Sequence, residues 1–138
     1  MIKKRILVVD DEKDLLDMMR GILANWGYDV ITADSGREAL RIVREGGHFL
    51  DVVILDIVMP GLDGVETLRH IRRHNKLIPV FMLTGYPSSD SIKKTRKLGI
   101  SGFIAKGEEF VESARVIKTV LSITKKPAPR RRRRKKQT

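Results

Sequence analysis

A doubly wound α/β domain on a five-stranded parallel sheet is the architecture to which this chain's pattern points, on three grounds. Short apolar, β-branched runs alternate five times with stretches of helical periodicity, and parallel neighbours need such a crossover between them. The central run, Asp51-Val52-Val53-Ile54-Leu55-Asp56, is apolar on both parities, as a strand covered on both faces must be. Each run ends on polar residues, at the side of such a sheet where ligand crevices lie.

The elements follow in order. Arg5 to Val9 is the first strand and runs into three carboxylates, Asp10, Asp11 and Glu12. From Asp14 to Trp26, the residues Leu15, Met18, Met19, Ile22, Leu23 and Trp26 recur at helical spacing, and Gly27 stands where a left-handed cap ends a helix. Trp26 is read as core, not as a ligand contact. Tyr28 to Ala33 is the second strand. Ser35 and Glu38 form a capping box opening a second helix, which is striped by Ala39, Leu40 and Val43 and closed by Gly46-Gly47. The third strand ends on Asp56. Pro60, Gly61 and Gly64 then punctuate a loop, and a third helix runs from about Val65 to His74. Pro79 to Leu83 is a fourth strand, with proline first, where a missing donor is tolerated, and Thr84-Gly85 follow it. A fourth helix, poor in apolar residues, spans Ser88 to Leu98 and stops at Gly99. Phe103 to Ala105 is a short fifth strand ending on Lys106-Gly107. The last helix, Glu109 to Ile123, carries Phe110, Ala114, Ile117 and Leu121 on one face and acidic residues in its first turn, where the helix dipole favours them.

Composition narrows the function classes. A chain of 138 residues suits one domain. Without cysteine it has neither disulfides nor thiolate metal sites. No apolar run approaches the roughly 20 residues of a membrane span, and Met1 to Arg5 lead into a strand too short for a signal-peptide core, so the expectation is a soluble, cytoplasmic protein with no membrane partner. The net charge of +11 suggests a polyanion partner. Residues 1–124 hold 19 of the 28 basic residues and all 17 acidic ones, a balance of +2, so the charge argument concerns residues 125–138 alone.

The polar strand ends converge on one chemistry. Three carboxylates drawn together cannot all stay ionised unless a cation neutralises them, and a hard divalent ion with oxygen ligands, Mg²⁺ above all, is the natural solution. Lys106 and Thr84 add a positive charge and a hydroxyl, which suits a phosphoryl group whose transfer needs positioning and neutralisation. A carboxylate can itself be the nucleophile. Taken singly, Asp10 or Asp11 reads as the cap of the first helix, with Asp11 able to do both, and Phe103 as core. Lys106 alone reads as a solvated charge, and so do His48, His70 and His74, none of them a phosphate carrier.

Over residues 3–123 the chain resembles the receiver domain of two-component response regulators. The features that carry the resemblance are Asp10-Asp11, the block Asp56-x-x-Met59-Pro60-Gly61-x-Asp63-Gly64, Thr84 and Lys106, in order and at about the family's spacing. The resemblance implies a flavodoxin-like (βα)5 fold with strand order 2-1-3-4-5. It also implies that Asp56 accepts a phosphoryl group from a sensor histidine kinase, a phosphotransfer protein or a small acyl phosphate. One Mg²⁺ would be bound by Asp11, Asp56 and the backbone carbonyl of Val58, with Asp10 acting through a water. Lys106 would hold a phosphoryl oxygen, Thr84 would swing toward it, and Phe103 would occupy the aromatic switch position. The signal would emerge on the face of helix four, strand five and helix five, to a protein partner or through phosphorylation-dependent dimerisation of a monomer.

Two departures stand out. Gly107 replaces the family's proline, so the bond after Lys106 is expected trans and the loop differently routed. The positions that tune phosphoryl lifetime in the family are here Val58 and Tyr86; neither resembles a carboxylate or amide that could orient an attacking water, and Tyr86 could cover the site, so self-dephosphorylation is expected to be slow. Gly85 leaves room for a donor. Residues 1–124 are thus read as a receiver and 125–138 as a disordered basic arm, with Arg130, Arg131, Arg132, Arg133, Arg134, Lys135 and Lys136 able to tether nucleic acid or another polyanion without sequence preference. The arm is too short for an output domain, so a single-domain regulator or relay is expected. The alternative is a degenerate receiver that binds partners without phosphorylation. An Mg²⁺-dependent phosphohydrolase ranks last, because Val58 stands where its second catalytic Asp would be. The expected role is signalling, not a separate enzymatic activity.

Overall fold

A computed structural model describes residues 2–85 and 89–123. Tyr86 and the basic arm, Arg130 to Lys136 included, lie outside the described residues. The strands β1 (Arg5–Val9), β2 (Asp29–Ala33), β3 (Val52–Asp56), β4 (Val80–Thr84) and β5 (Gly102–Ala105) form one parallel sheet in the order β2-β1-β3-β4-β5, as expected. The helices are α1 (Lys13–Asn25), α2 (Gly36–Gly46), α3 (Gly64–His74), α4 (Ser89–Leu98), α5 (Phe110–Ala114) and α6 (Val116–Ile123).

The sheet divides the core in two. Alternate strand residues such as Leu7, Val9, Val53, Leu55 and Met82 pack with α2 and α3. Ile6, Val8, Ile54, Phe81 and Leu83 pack with α1, α5 and α6 on the opposite face. Every residue of β3 is buried, which explains its lack of alternation, and each such aliphatic side chain contributes about 1.5–3 kcal/mol. The strand order reverses between β1 and β3, and Asp10 and Asp56 lie at the carboxyl ends of these two strands.

Several local expectations are corrected. The buried stripe of α1 is Leu16, Met19 and Leu23, with Leu15 and Ile22 partly buried beside it, whereas Met18 is 39% exposed; the helix starts one residue earlier than its periodicity suggested. Trp26 is partly buried against the core, with Lys118 Nζ 4.4 Å from its ring centre. The N-cap of α1 is Glu12, not Asp10 or Asp11, and it makes no side-chain capping bond. Asp10 Oδ1 instead accepts the Glu12 amide at 2.9 Å, an Asx-type bond that holds the carboxylate at the strand end. Ser35 does cap α2, accepting from Glu38 N, and Gly27 is left-handed at φ 99°. Thr84 is the last residue of β4, not one beyond it. The final helix is preceded by a 3₁₀ turn over Gly107–Glu109 and interrupted at Arg115, where the amides of Arg115 and Lys118 bond three residues back.

The β3–α3 loop closes tightly. Gly64 N donates to Ile57 O at 2.8 Å, and Asp63 caps α3 by accepting from Glu66 N. A Cβ on Gly64 would collide with the Asp56 carbonyl oxygen and lie 2.6 Å from Ile57 Cα, so only glycine fits. At the other end of the sheet, Arg72 donates to the carbonyls of Gly99, Asn75 and Ile78, tying α3 to the segments that enter β4 and β5.

Candidate functional site: an acidic cluster at the strand ends

β1 delivers Asp10 fully buried, β3 delivers Asp56 at 2% exposure, and the turn after β1 leaves Asp11 exposed. Carboxylate oxygens of the three lie within 4.8 Å of one another. Lys106, just after β5, extends over them. Its Nζ donates to Asp56 Oδ2 at 2.8 Å, lies 3.3 Å from Asp10 Oδ2 and reaches Glu12 Oε1 at 3.5 Å. Asp56 Oδ1 accepts the Val58 amide at 3.2 Å. Asp10 Oδ2 is buried and receives no hydrogen bond, its approach to Lys106 being a charge contact only.

The electrostatics follow from burial. Loss of water raises the Asp56 carboxyl to about 6 from an ordinary 3.8; the Lys106 hydrogen bond opposes this and the Asp10 charge adds to it. Burial would lower the Lys106 ammonium, yet Asp56 and Asp10 together push it up. Two buried carboxylates therefore share a single lysine, and one oxygen stays unsatisfied. A hard divalent cation fits this donor set, because oxygen ligands in excess of local positive charge are what such an ion requires.

The remaining predicted residues lie around this centre. The Lys106–Gly107 bond is trans, as is every described peptide bond, and Gly107 sits at φ 77°, a conformation that proline cannot adopt. The loop takes a backbone conformation closed to proline, and the lysine meets Asp56. Thr84 is half-buried at the end of β4, where Leu83 is paired with Asp56, and its carbonyl accepts the Lys106 amide. Phe103 is partly buried, beside Met82 on the α2–α3 side of the sheet. Val58 is 76% exposed, and a Cβ on Gly85 would meet only open space. An acidic cleft of about 520 Å³ opens beside Asp11, lined also by Asp17, Asp34 and Glu38.

Two participants escaped the sequence reading. Glu12 touches Lys106, and its signal was present as the third carboxylate of the run. Ser113 Oγ accepts the Ala105 amide at 2.9 Å while donating to Glu109 O, pinning the end of β5 just before Lys106; no pattern in the sequence marked it.

The described residues form a doubly wound domain with three carboxylates and a lysine gathered at its switch point. The chain is a member of the response regulator receiver domain family, whose sequence profile matches residues 6–118, and its place is in two-component signalling. It is 39% identical to the uncharacterized transcriptional regulatory protein YrkP of Bacillus subtilis over 107 residues, 78% of this chain and 42% of that protein. To the transcriptional regulatory protein ZraR of Escherichia coli it is 38% identical over 105 residues, 76% of this chain and 23% of that protein. The chain thus spans less than half the length of these two relatives. The structure of the response regulator TrrA of Thermotoga maritima in complex with Mg²⁺-BeF superposes with a TM-score of 0.74 at 35% identity, over 85% of this chain and 98% of that one. No helix among the described residues is long and apolar enough to cross a membrane.

Proposed function

We propose that this receiver is phosphorylated on Asp56 and that phosphorylation switches a protein contact. The observation that carries the reading is Lys106 Nζ at 2.8 Å from Asp56 Oδ2, beside the orphaned oxygen of Asp10. Phosphorylation would come from the phosphohistidine of a histidine kinase or phosphotransfer protein, partners with which receiver domains interact, or from a small acyl phosphate. An Asp56 oxygen attacks phosphorus, the bond from phosphorus to the donor breaks, and the donor leaves with the electron pair.

Asp11, Asp56 and the Val58 carbonyl would hold Mg²⁺, with Asp10 reaching it through a water. Bound there, the ion would neutralise charge gathering on the phosphoryl oxygens. Lys106, released from its pairing with the free carboxylate, then holds one phosphoryl oxygen. Thr84 donates its hydroxyl to another, and the movement leaves space on the same side of the sheet for Phe103 to turn inward. The outcome is read on the face of α4, β5 and α5, by a protein partner or a second copy.

That Lys106 reaches Asp56 despite Gly107 favours this reading over a phosphorylation-independent binding module. Intact mass after incubation with acetyl phosphate and Mg²⁺ tests it. One phosphoryl group should be gained, and the gain should vanish in Asp56→Asn and with EDTA; no gain in the wild type would reject the reading. Val58 is exposed and offers no polar group to orient a water, and the residue type at position 86, a tyrosine, is neither a carboxylate nor an amide, so the phosphoprotein should be long-lived. A half-life of seconds without any phosphatase would sink that part.

A further inference from the structure

The near-neutral balance of residues 1–124 conceals a segregation that appears only once the chain is folded. α2, α3 and α4 lie side by side over one face of the sheet, and they carry ten basic residues against four acidic ones. The helices of the other face, α1, α5 and α6, carry three of each. Three of the four acidic residues in the basic layer are already engaged, Glu38 and Glu45 with Arg41 and Glu66 with Arg69. Arg72 is spent on backbone carbonyls. Arg37 and Arg44 on α2 and Arg73 on α3 remain, exposed and without an ion pair among the described residues. On α4, Lys93, Lys94, Arg96 and Lys97 are exposed and equally unpaired.

Between α2 and α3 the charge borders a groove. Arg37, Arg44 and His70 line a cavity of about 290 Å³, and Arg44 also lines a second of about 230 Å³ with His48 and His74. No carboxylate lines either one. Arg37 and Arg44 stand two helical turns apart, about 10.5 Å along the axis, so they can grip separate phosphates of one strand.

We propose that the α2–α3–α4 layer is a nucleic-acid-binding face, with a sugar–phosphate backbone lying along the α2–α3 groove and its charge extended by α4. A protein partner is less well matched, since interfaces between proteins centre on apolar or aromatic anchors. None of the exposed large apolar side chains among the described residues belongs to α2, α3 or α4. Contacts to phosphate need no such anchor and carry no sequence information, so binding is expected to be sequence-independent and steeply dependent on salt. The nine basic residues that follow residue 124 in the sequence have the same sign and add to the attraction. None of this rests on the phosphoacceptor reading.

The test uses the full chain and a labelled DNA duplex of about 20 base pairs, with anisotropy followed from about 50 to about 200 mM salt. It is run with the native arm and with Arg130 to Arg134 changed to glutamine, so that arm and face are separated. Arg37→Gln/Arg44→Gln/Arg73→Gln should weaken binding at least about tenfold at the low-salt end and flatten the log–log salt slope by about 2–3, as three lost phosphate contacts require. Lys93→Gln/Lys94→Gln/Lys97→Gln should act in the same direction. Lys13→Gln/Arg20→Gln/Lys118→Gln, with the same charge loss on the opposite layer, should change affinity by no more than about twofold. Equal losses from the two faces would overturn the proposal in favour of net charge alone. Loss of all binding on neutralising the arm would overturn it in favour of the arm. Displacement of the duplex by poly-glutamate at equal charge would overturn it in favour of an acidic protein.

Discussion

Replacing Asp56 with asparagine should stabilise the metal-free domain, and the gain should grow with pH. Burial sets the Asp56 carboxyl at about 6 against an ordinary 3.8, even with Lys106 bonded to it. A carboxyl whose pKa is higher folded than unfolded holds more protons in the folded state. The stability it contributes is complete below its unfolded value and is lost as pH rises through its folded value, here from about 4 to about 6. At 1.36 kcal/mol per unit the loss is on the order of 3 kcal/mol. Asparagine keeps the shape and one acceptor oxygen for Val58 N or Lys106 Nζ but never ionises, so the variant escapes that loss.

Urea unfolding in EDTA at about pH 4.5 and about pH 8 measures the effect, because titrating groups remote from Asp56 are common to both proteins and cancel in the difference, leaving Asp56 with its neighbours Asp10 and Lys106. The advantage of Asp56→Asn should be larger at the higher pH by about 1–3 kcal/mol, a midpoint displacement near 1 M at ordinary slopes. Mg²⁺ at the higher pH should raise the wild type toward the variant, since an ion bound only by the folded state adds its binding energy to stability. An advantage that is equal at both pH values, or larger at the lower one, would refute burial as the dominant influence on Asp56.

Gly107→Pro, which restores the family's usual residue, should harm this chain: proline cannot take φ 77°, so about 1–3 kcal/mol of stability and much of the phosphorylation rate should be lost, read by urea midpoint and intact mass. Gly64→Ala should be worse than its single methyl suggests, because the Asp56 carbonyl and Ile57 Cα must move to admit it; several kcal/mol and loss of phosphorylation are expected, and a midpoint unchanged from wild type would contradict the close approach. Arg72→Ala should cost about 2–4 kcal/mol by leaving the carbonyls of Gly99 and Ile78 without their donor, with little effect on phosphorylation per folded molecule.

The segment from β3 to α3 was the most legible part of the chain. A strand buried on both faces must be apolar throughout, so the first carboxylate after such a run marks where it leaves the sheet, and Asp56 was visible for that reason. Ser35 and Gly27 were equally plain, because capping and left-handed turns depend on one or two neighbouring residues. Asp10 and Asp11 were legible as neighbours at the end of β1, but their difference was not: one is fully buried with an orphan oxygen and the other exposed, which depends on how β1 meets β3 and Lys106.

What the sequence determined by itself was therefore whatever rests on local periodicity and local chemistry: the alternation of strands and helices, the polar strand ends, and the residue types offered to a cation and a phosphoryl group. Tertiary structure alone decided what depends on residues far apart in the chain. It brought Lys106 onto Asp56 across a loop that lacks the usual proline, recruited Glu12 and Ser113 to hold that lysine and its strand, and sorted a nearly neutral domain into a basic layer and a balanced one. The physical reason is that charge and hydrogen bonding act through space. A count along the chain adds Arg37 to Asp14 and finds almost nothing, whereas the fold places them on opposite faces of a sheet.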